Sequence, residues 1–332
     1  MNKNTKQKTT LGIILILVII LCAFYVQFNN ANPTNNNISN KYSNVIINSE
    51  KLNIFYFKVG QADCTLITIN NKNLLIDAGN KSDGDYIVEF LKEKKLDNID
   101  YFIVTHGDLD HSGGAAIVLD NCKVNQLFMP EGIKEAEDNY QELQNIANRN
   151  GIEIDKVEVN DKFDLDKANF EILSVKNNTN SSANESSIVV KLNYLNTSYL
   201  FMGDATQDIE KEIKSDSVDV LKVGHHGSNS STSSEFLNMI KPKYAIISAG
   251  NNAKYNHPAE QVLQRLRDAN IQENNIYITN NQGTIWLTSD GTNIEIQTRQ
   301  DINLDGTGQI GKMDILNICS FFNRINYSLL AC

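Results

Sequence analysis

Every histidine of this chain lies just past a short, apolar, β-rich run. "YFIVT" passes into "HGDLDHSGG", which sets His106, Asp108, Asp110 and His111 at a strand terminus. "SYLFMG" ends in Asp204, "VDVLKVG" ends in His225 and His226, and His257 lies in "NNAKYNHP" beyond "YAIISAG". With only 5 histidines in 332 residues, chance placement would scatter them. A fold that answers to this pattern must bring the ends of several strands to one place.

The remaining patterning says how. Runs such as "NIFYFKV", "CTLITI", "NLLIDAG", "SSIVVKL" and "GTIWLTS" are strand-like, and amphipathic segments interrupt them. "DYIVEFLKEKK" sets Ile87, Phe90 and Leu91 on one helical face, and "PAEQVLQRLRDAN" is read as a helix opening at Pro258. Hairpins followed by strand–helix alternation in both halves predict an α/β fold, an αββα sandwich of two sheets with helices outside. No repeat of 20–50 residues breaks this reading.

The polar set suits two metal ions. In a tight loop, His106 and Asp108 can face one side of a small cavity while Asp110 and His111 face the other. Imidazole with carboxylate fits Zn²⁺, Mn²⁺ or Fe²⁺, and the absence of thiolates from the set weakens a purely structural zinc. Asp204, reaching in from another strand, can bridge the pair. Two ions about 3.5–4 Å apart hold a hydroxide and neutralise an oxyanion as it forms. A solvated turn is the bland alternative for "GDLD" taken alone. It loses force once "MGD" and "VGHHGS" stand at their own strand ends.

Taken together, "VGQADCTLI", "LLIDAG", "THGDLDHSGG", "NESSIVVKL", "FMGD", "LKVGHHGSNSSTS", "AIISAGNNAKYNHP" and "GTIWLTSDG" resemble the metallo-β-lactamase fold superfamily over roughly residues 52–298. The fit is to the branch found in the extracytoplasmic hydrolase domain of ComEC-type competence proteins. The resemblance implies a metal-dependent hydrolase in which His106 and Asp108 bind one metal, Asp110 and His111 the other, and Asp204 both. It implies that His225 completes a metal, that His226 or Ser228 contacts substrate, and that His257 and Asn251 face the departing or phosphoryl group. Asp110, His226 and His257 are then the catalytic residues, and Asp63 and Asp77 orient ligand histidines. Two departures stand out. The superfamily pattern has His where Asp108 stands, and its third-motif histidine should fall near Ala183 or Asn184, where none is present. These imply a carboxylate-richer centre, one metal weakly held or completed by substrate, and phosphodiester or phosphonate-like esters rather than lactams.

Outside this body, "LGIILILVIILCAFYVQF" (residues 11–28) carries no charge and is long enough to cross a hydrocarbon layer about 30 Å thick. Lys3, Lys6 and Lys8 precede it, which keeps residues 1–10 cytoplasmic and the rest of the chain outside. A cleaved signal peptide, and hence a secreted protein, is the competing reading, although no small-x-small site follows. Residues 29–49 read as an Asn-rich tether, residues 50–298 as the hydrolase domain and residues 299–332 as a separate tail. The 5 cysteines form no CxxC pair, which argues against a zinc knuckle or a dense disulfide framework.

The tail places acid and amide oxygens at alternate positions, like a calcium loop. Asn303, Asp305, Thr307, Gly308, Ile310 and Asp314 fit one register; Asp301, Asn303, Asp305 and Gly306 fit a second but leave Lys312 at its end. The first resembles half of a dockerin module and implies bound Ca²⁺ and a cohesin-like partner; a simple acidic turn is the alternative.

The formal net charge of −10 disfavours strong non-specific nucleic-acid affinity. A hydrolase that meets its phosphodiester through metals is not excluded. Three readings are open: a membrane-anchored extracytoplasmic phosphodiesterase or nuclease, a cell-surface phosphoesterase acting on teichoic-acid or phosphocholine groups, and a non-catalytic surface scaffold. The third is disfavoured, because buried His and Asp are costly to keep without an ion.

Overall fold

The computed structural model describes residues 41–131, 137–177, 181–251 and 255–305. The chain divides between Ser43 and Asn44, and every strand and helix named below belongs to the second unit. The apolar segment 11–28 lies outside the described residues, among which no helix is long and apolar enough to cross a membrane.

Numbered in chain order, β1 (Leu52–Tyr56), β2 (Thr65–Ile69), β3 (Lys72–Ile76), β4 (Asn98–Ile103), β5 (Lys123–Phe128) and β6 (Glu153–Asp155) join β14 (Thr284–Ser289) and β15 (Ile294–Arg299) in one sheet. Its order is β15-β14-β1-β2-β3-β4-β5-β6. The second sheet contains β7 (Lys162–Leu165), β8 (Ala168–Ser174), β9 (Val189–Tyr194), β10 (Thr197–Phe201), β11 (Val220–Lys222), β12 (Tyr244–Ile247) and β13 (Ile276–Ile278). It runs β13-β12-β11-β10-β9-β8-β7. Hairpins build one half of each sheet, and parallel crossovers build the other: β3 to β6 in the first, β10 to β13 in the second.

Side-chain alternation along β1 shows why the sheets stack. Leu52, Ile54 and Tyr56 point between the sheets, into a core shared with Tyr199 and Phe201 of β10 and Ile172 of β8. Phe55 points the other way, stacked on Trp286 at 5.1 Å and edge-on to Phe90 at 5.5 Å. Phe90 belongs to α1 (Gly84–Lys94), which buries Ile87, Val88 and Leu91 beside it. Next to α1 packs α3 (Ala115–Asn121), and next to that α4 (Glu137–Asn150). Full burial of such side chains contributes about 1.5–3 kcal/mol each, so both faces of β1 are held firmly.

On the far side, α6 (Ser234–Ile240) and α7 (Glu260–Asp268) cover the second sheet with Phe236, Leu237, Ile240, Val262 and Leu266. Ser233 caps α6 by accepting the Phe236 N–H. The result is the αββα layering expected from the hydropathy pattern. One local expectation shifts: α7 starts at Glu260 with Ala259 as its cap, so Pro258 precedes the helix instead of opening it.

Candidate metal centre

The carboxyl ends of the parallel strands meet at one edge of the sandwich. Beyond β4, Thr105 donates its N–H and its hydroxyl to Asp77 at the end of β3, at 2.7 and 2.8 Å. Asp108 then stands at the N-cap position of the short α2 (Leu109–Ser112), its side chain making no capping bond, and the helix carries Asp110 and His111. The two glycines of "HSGG" let this turn lie against its neighbours. A Cβ on Gly114 would stand 2.2 Å from the Ala78 carbonyl oxygen, and one on Gly113 would stand 2.6 Å from the Lys81 nitrogen.

The opposite wall comes from the second sheet. Gly203, at φ 52°, turns the chain after β10 so that Asp204 enters the cavity ahead of the short α5 (Gln207–Glu210). The Asp204 N–H is held by the Ser187 hydroxyl at 3.0 Å. After β11, His225 and His226 adopt φ of 50° and 53°, two successive left-handed residues between Gly224 and Gly227. Such a backbone costs about 1–2 kcal/mol per residue, and strain of this kind gathers at functional sites.

Hydrogen-bond partners fix the imidazole tautomers. His111 Nδ1 lies 2.8 Å from Asp77 Oδ2, and His226 Nδ1 lies 3.0 Å from the Ser248 carbonyl. Both partners only accept, so both Nδ1 atoms carry the proton. Thr105 spends its hydroxyl proton on Asp77, so its oxygen accepts from His106 Nδ1 at 3.1 Å. Each of the three Nε2 atoms is left as a lone pair. Two of them, on His111 and His226, lie 3.2 Å apart, and buried His106 Nε2 has no hydrogen-bond partner. Facing lone pairs in a buried site need a cation between them, and this donor set therefore fits divalent metal.

Asp204 is the common neighbour. Its Oδ2 lies 3.9 Å from His106 Nε2, 3.6 Å from His225 Nε2 and 3.8 Å from His226 Nε2, while Oδ1 lies 3.1 Å from His111 Nε2. Asp108 approaches His106 at 3.6 Å on one side, and Asp110 approaches His226 at 3.3 Å on the other. One donor atom from each of Asp63, His111, Asp204 and His226 falls within 4.8 Å of the rest. Two groups of imidazole and carboxylate donors thus flank one carboxylate.

Electrostatics match the packing. Burial alone would raise Asp204, but the charges of His111 and His226 hold its carboxyl well below the usual range. When His226 and His111 carry a second proton, Asp110 is drawn down to about 2, its burial outweighed by the hydrogen bond from His226 and the charge of His111. His111 is pushed well up despite burial, by Asp204 and Asp77, and His226 is raised by Asp204 and Asp110.

Several residues take positions that the sequence did not separate. His226, expected against substrate, is buried among Asp110, His111 and Asp204, whereas His225, expected on a metal, is partly exposed at the rim of the same carboxylate. Asp77 does accept from the Nδ1 of His111. Asp63 instead accepts from the buried Lys222 ammonium at 2.8 Å, while its N–H donates to the Asp110 carbonyl at 3.0 Å. Lys222 and Asp63 are 3% and 6% exposed, a charged pair across the two sheets. Ser228 lies beside Ser230, which bonds His225 Nδ1 at 3.0 Å. His257 borders His225 and His226, and Asn251 is exposed near the end of the β12 segment. The position of the missing third-motif histidine holds Asn184, whose buried Oδ1 has no hydrogen-bond partner. Thr105, Lys222, Ser248 and Gln61 went unmarked in sequence. Only Lys222 gave a signal, as a cation inside the otherwise apolar run "VLKV".

In the tail, Asn303 forms a bridge with Lys58 and Asp305 lies 3.9 Å from the Lys58 ammonium, while Ile302 and Leu304 are buried. Thr307 and Asp314 lie outside the described residues.

The pattern described as "Metallo-beta-lactamase superfamily" matches residues 57–251. ComE operon protein 3 of Bacillus subtilis (strain 168) is 36% identical over 203 residues, 60% of this chain and 26% of that protein. Recombination protein 2 of Haemophilus influenzae is 31% identical over 63% of this chain and 25% of its own length. Competence protein ComA of Neisseria gonorrhoeae is 28% identical over 64% and 29%. The chain thus spans about a quarter of the length of these relatives. Among solved structures, CmlA, a diiron β-hydroxylase from Streptomyces venezuelae, aligns at TM-score 0.48 and 14% identity, over 74% of this chain and 55% of CmlA. The metallo-beta-lactamase fold protein YhfI from Bacillus subtilis aligns at 0.46 and 8%, over 68% and 96%.

Proposed function

Because the chain belongs to the metallo-beta-lactamase superfamily of hydrolases, we propose that it is a metal-dependent phosphodiesterase whose substrate is DNA. The observation that carries this reading is the convergence of three buried imidazole lone pairs and the buried Asp204 carboxylate with the more exposed Asp108 and Asp110 at one edge of the sandwich. His106, Asp108 and Asp204, with His225, would hold one ion; Asp110, His111 and His226, with Asp204, would hold the other. Bound Zn²⁺ or Mn²⁺ there supplies Lewis acidity, activation of water and neutralisation of phosphoryl charge.

The chain's own residues do the rest. Asp77, Thr105 and the Ser248 carbonyl keep the protons on Nδ1, so that Nε2 always faces inward. Ser228, partly exposed beside the Ser230 that bonds His225, is placed to meet the ester. Asp108 in place of a histidine favours a phosphoryl oxyanion over a lactam, and the competence-type relatives point to DNA. The apolar segment 11–28 and the preceding lysines support a single membrane anchor with the domain outside. A cohesin-like partner and Ca²⁺ for the tail remain part of this proposal on the spacing of Asn303 to Asp314 alone.

The net charge of −10 favours a second reading, a surface phosphoesterase on smaller teichoic-acid or phosphocholine groups, which needs no basic groove. Full-length protein purified without chelators and assayed with Mn²⁺ or Zn²⁺ separates the two. Cleavage of both single-stranded DNA and bis-p-nitrophenyl phosphate supports the nuclease. Turnover of the small ester alone moves the substrate to the second class. If neither ester turns over and Asp110→Ala changes nothing, the domain is a scaffold.

A further inference from the structure

The three buried ligand histidines share one arrangement, an acceptor on Nδ1 that leaves Nε2 as a lone pair. His257 has the opposite one. Its Nδ1 lies 3.2 Å from Gln61 Nε2, and the other end of that amide is already assigned, because Gln61 Oε1 accepts the Gly250 N–H at 3.1 Å. A backbone N–H only donates, so the oxygen of Gln61 must face Gly250 and its NH₂ must face His257. An NH₂ group only donates, so His257 Nδ1 must accept. The neutral imidazole then carries its hydrogen on Nε2.

We propose that Gln61 is a positioning residue that fixes His257 as the Nε2–H tautomer, so that this ring meets substrate as a hydrogen-bond donor instead of joining the metals as a ligand. Gln61 sits two residues before Asp63 in the loop between β1 and β2, on the other sheet from His257. The bond therefore spans the mouth of the site. His257 borders the cluster without entering it: its ring centroid lies 5.8 Å from that of His225 and 6.5 Å from that of His226. A neutral donor at this border suits a phosphoryl or leaving-group oxygen, to which it hydrogen-bonds without transferring its proton. That last assignment rests on the phosphodiesterase reading; the tautomer does not.

The isosteric change Gln61→Glu separates the two. A carboxylate still accepts from Gly250 with one oxygen, but its other oxygen only accepts, which requires Nδ1–H on His257 and turns Nε2 into a lone pair. Full-length protein labelled with ¹⁵N-histidine and loaded with Zn²⁺ is compared as wild type, Gln61→Glu and Gln61→Leu by long-range ¹H–¹⁵N spectra. Expected are a protonated-type Nε2 and an unprotonated-type Nδ1 for His257 in the wild type, the reverse in Gln61→Glu, and a mixture in Gln61→Leu. The kcat for bis-p-nitrophenyl phosphate should fall about ten-fold in both variants with KM little changed, the scale of one lost hydrogen bond in a transition state. A wild-type His257 protonated on Nδ1, or a Gln61→Glu spectrum identical to wild type, overturns the proposal. If the spectra behave as expected but no ester is hydrolysed, the phosphodiesterase reading fails and the role of Gln61 stands.

Discussion

His111 and His226 reach each other across the two sheets with their Nε2 atoms 3.2 Å apart, each having committed its Nδ1 hydrogen to an acceptor. Burial opposes the charged form of both rings, but the surrounding carboxylates outweigh it: Asp204 and Asp77 raise His111, and Asp204, Asp110 and Asp63 raise His226 against the opposing charge of His111. Their stabilising contribution is fully present below the ordinary histidine pKa of about 6.5 and is lost as pH rises through the raised folded values. Asp110 works the other way: its contribution is present above about 4 and is lost as pH falls toward about 2. Chelator-treated protein should therefore melt highest in mildly acid buffer and lower as pH climbs above neutrality. Zn²⁺ or Mn²⁺ should restore the alkaline side and release protons on binding. Thermal unfolding between pH 5 and 9, with and without metal, checks this. A metal-free Tm that climbs steadily through that range would contradict the arrangement.

Asp77 is committed three times over, to the Thr105 N–H, the Thr105 hydroxyl and His111 Nδ1. Asp77→Asn must present an NH₂ to one of these donors and so disturbs the tautomer of His111, of His106, or of both. Metal affinity should fall about 10–100-fold while the fold persists, the usual scale for losing an orienting partner. Competition with a chromophoric chelator measures it. Affinity within two-fold of wild type would show that Asp77 does not govern the ligands.

The Lys222–Asp63 pair is buried on both sides, so removing one partner strands the other's charge. Lys222→Met should destabilise chelator-treated protein by about 3–5 kcal/mol, and Lys222→Met with Asp63→Leu should recover most of that loss. Urea unfolding of the two variants decides the matter. The double variant should still bind metal more weakly, because the Asp63 carboxylate belongs to the group around His111, Asp204 and His226. A double variant no more stable than the single one would show that the pair acts through packing and not through charge.

The features that the sequence disclosed and those that it hid divide along one physical line. Strand alternation, the helix faces and the strand-end placement of His106, Asp108, Asp110, His111 and Asp204 are local signals, and each lands on the shared edge. Pairings across the sheets have no local signal. Thr105 looks like any β-branched residue, Ser248 contributes only a carbonyl, and Gln61 meets His257 from 196 positions away. The choice between His225 and His226 also escaped. It depends on two consecutive left-handed residues, and a sequence offers only Gly224 and Gly227 as hints of that turn.

That last ambiguity leads to a measurement. His226 is 2% exposed, bonded to the Ser248 carbonyl and 3.3 Å from Asp110; His225 is 23% exposed, and its Nδ1 lies beside a serine hydroxyl at 3.0 Å. His226→Ala removes the buried imidazole that faces Asp110 and His111, leaving them only the Asp204 and Asp63 carboxylates. It should lower bound metal by one ion per chain, as read by elemental analysis after gel filtration. His225→Ala leaves the Asp110, His111 and His226 set intact, so at most the ion beside His106 and Asp108 should weaken. The two single variants should thus differ in which ion survives, and adding Asp108→Ala tells them apart. With His225→Ala it should leave the ion at Asp110 in place; with His226→Ala it should strip the centre entirely. Identical metal loss in the two double variants would mean that the histidines are interchangeable and that the left-handed turn does not select between them.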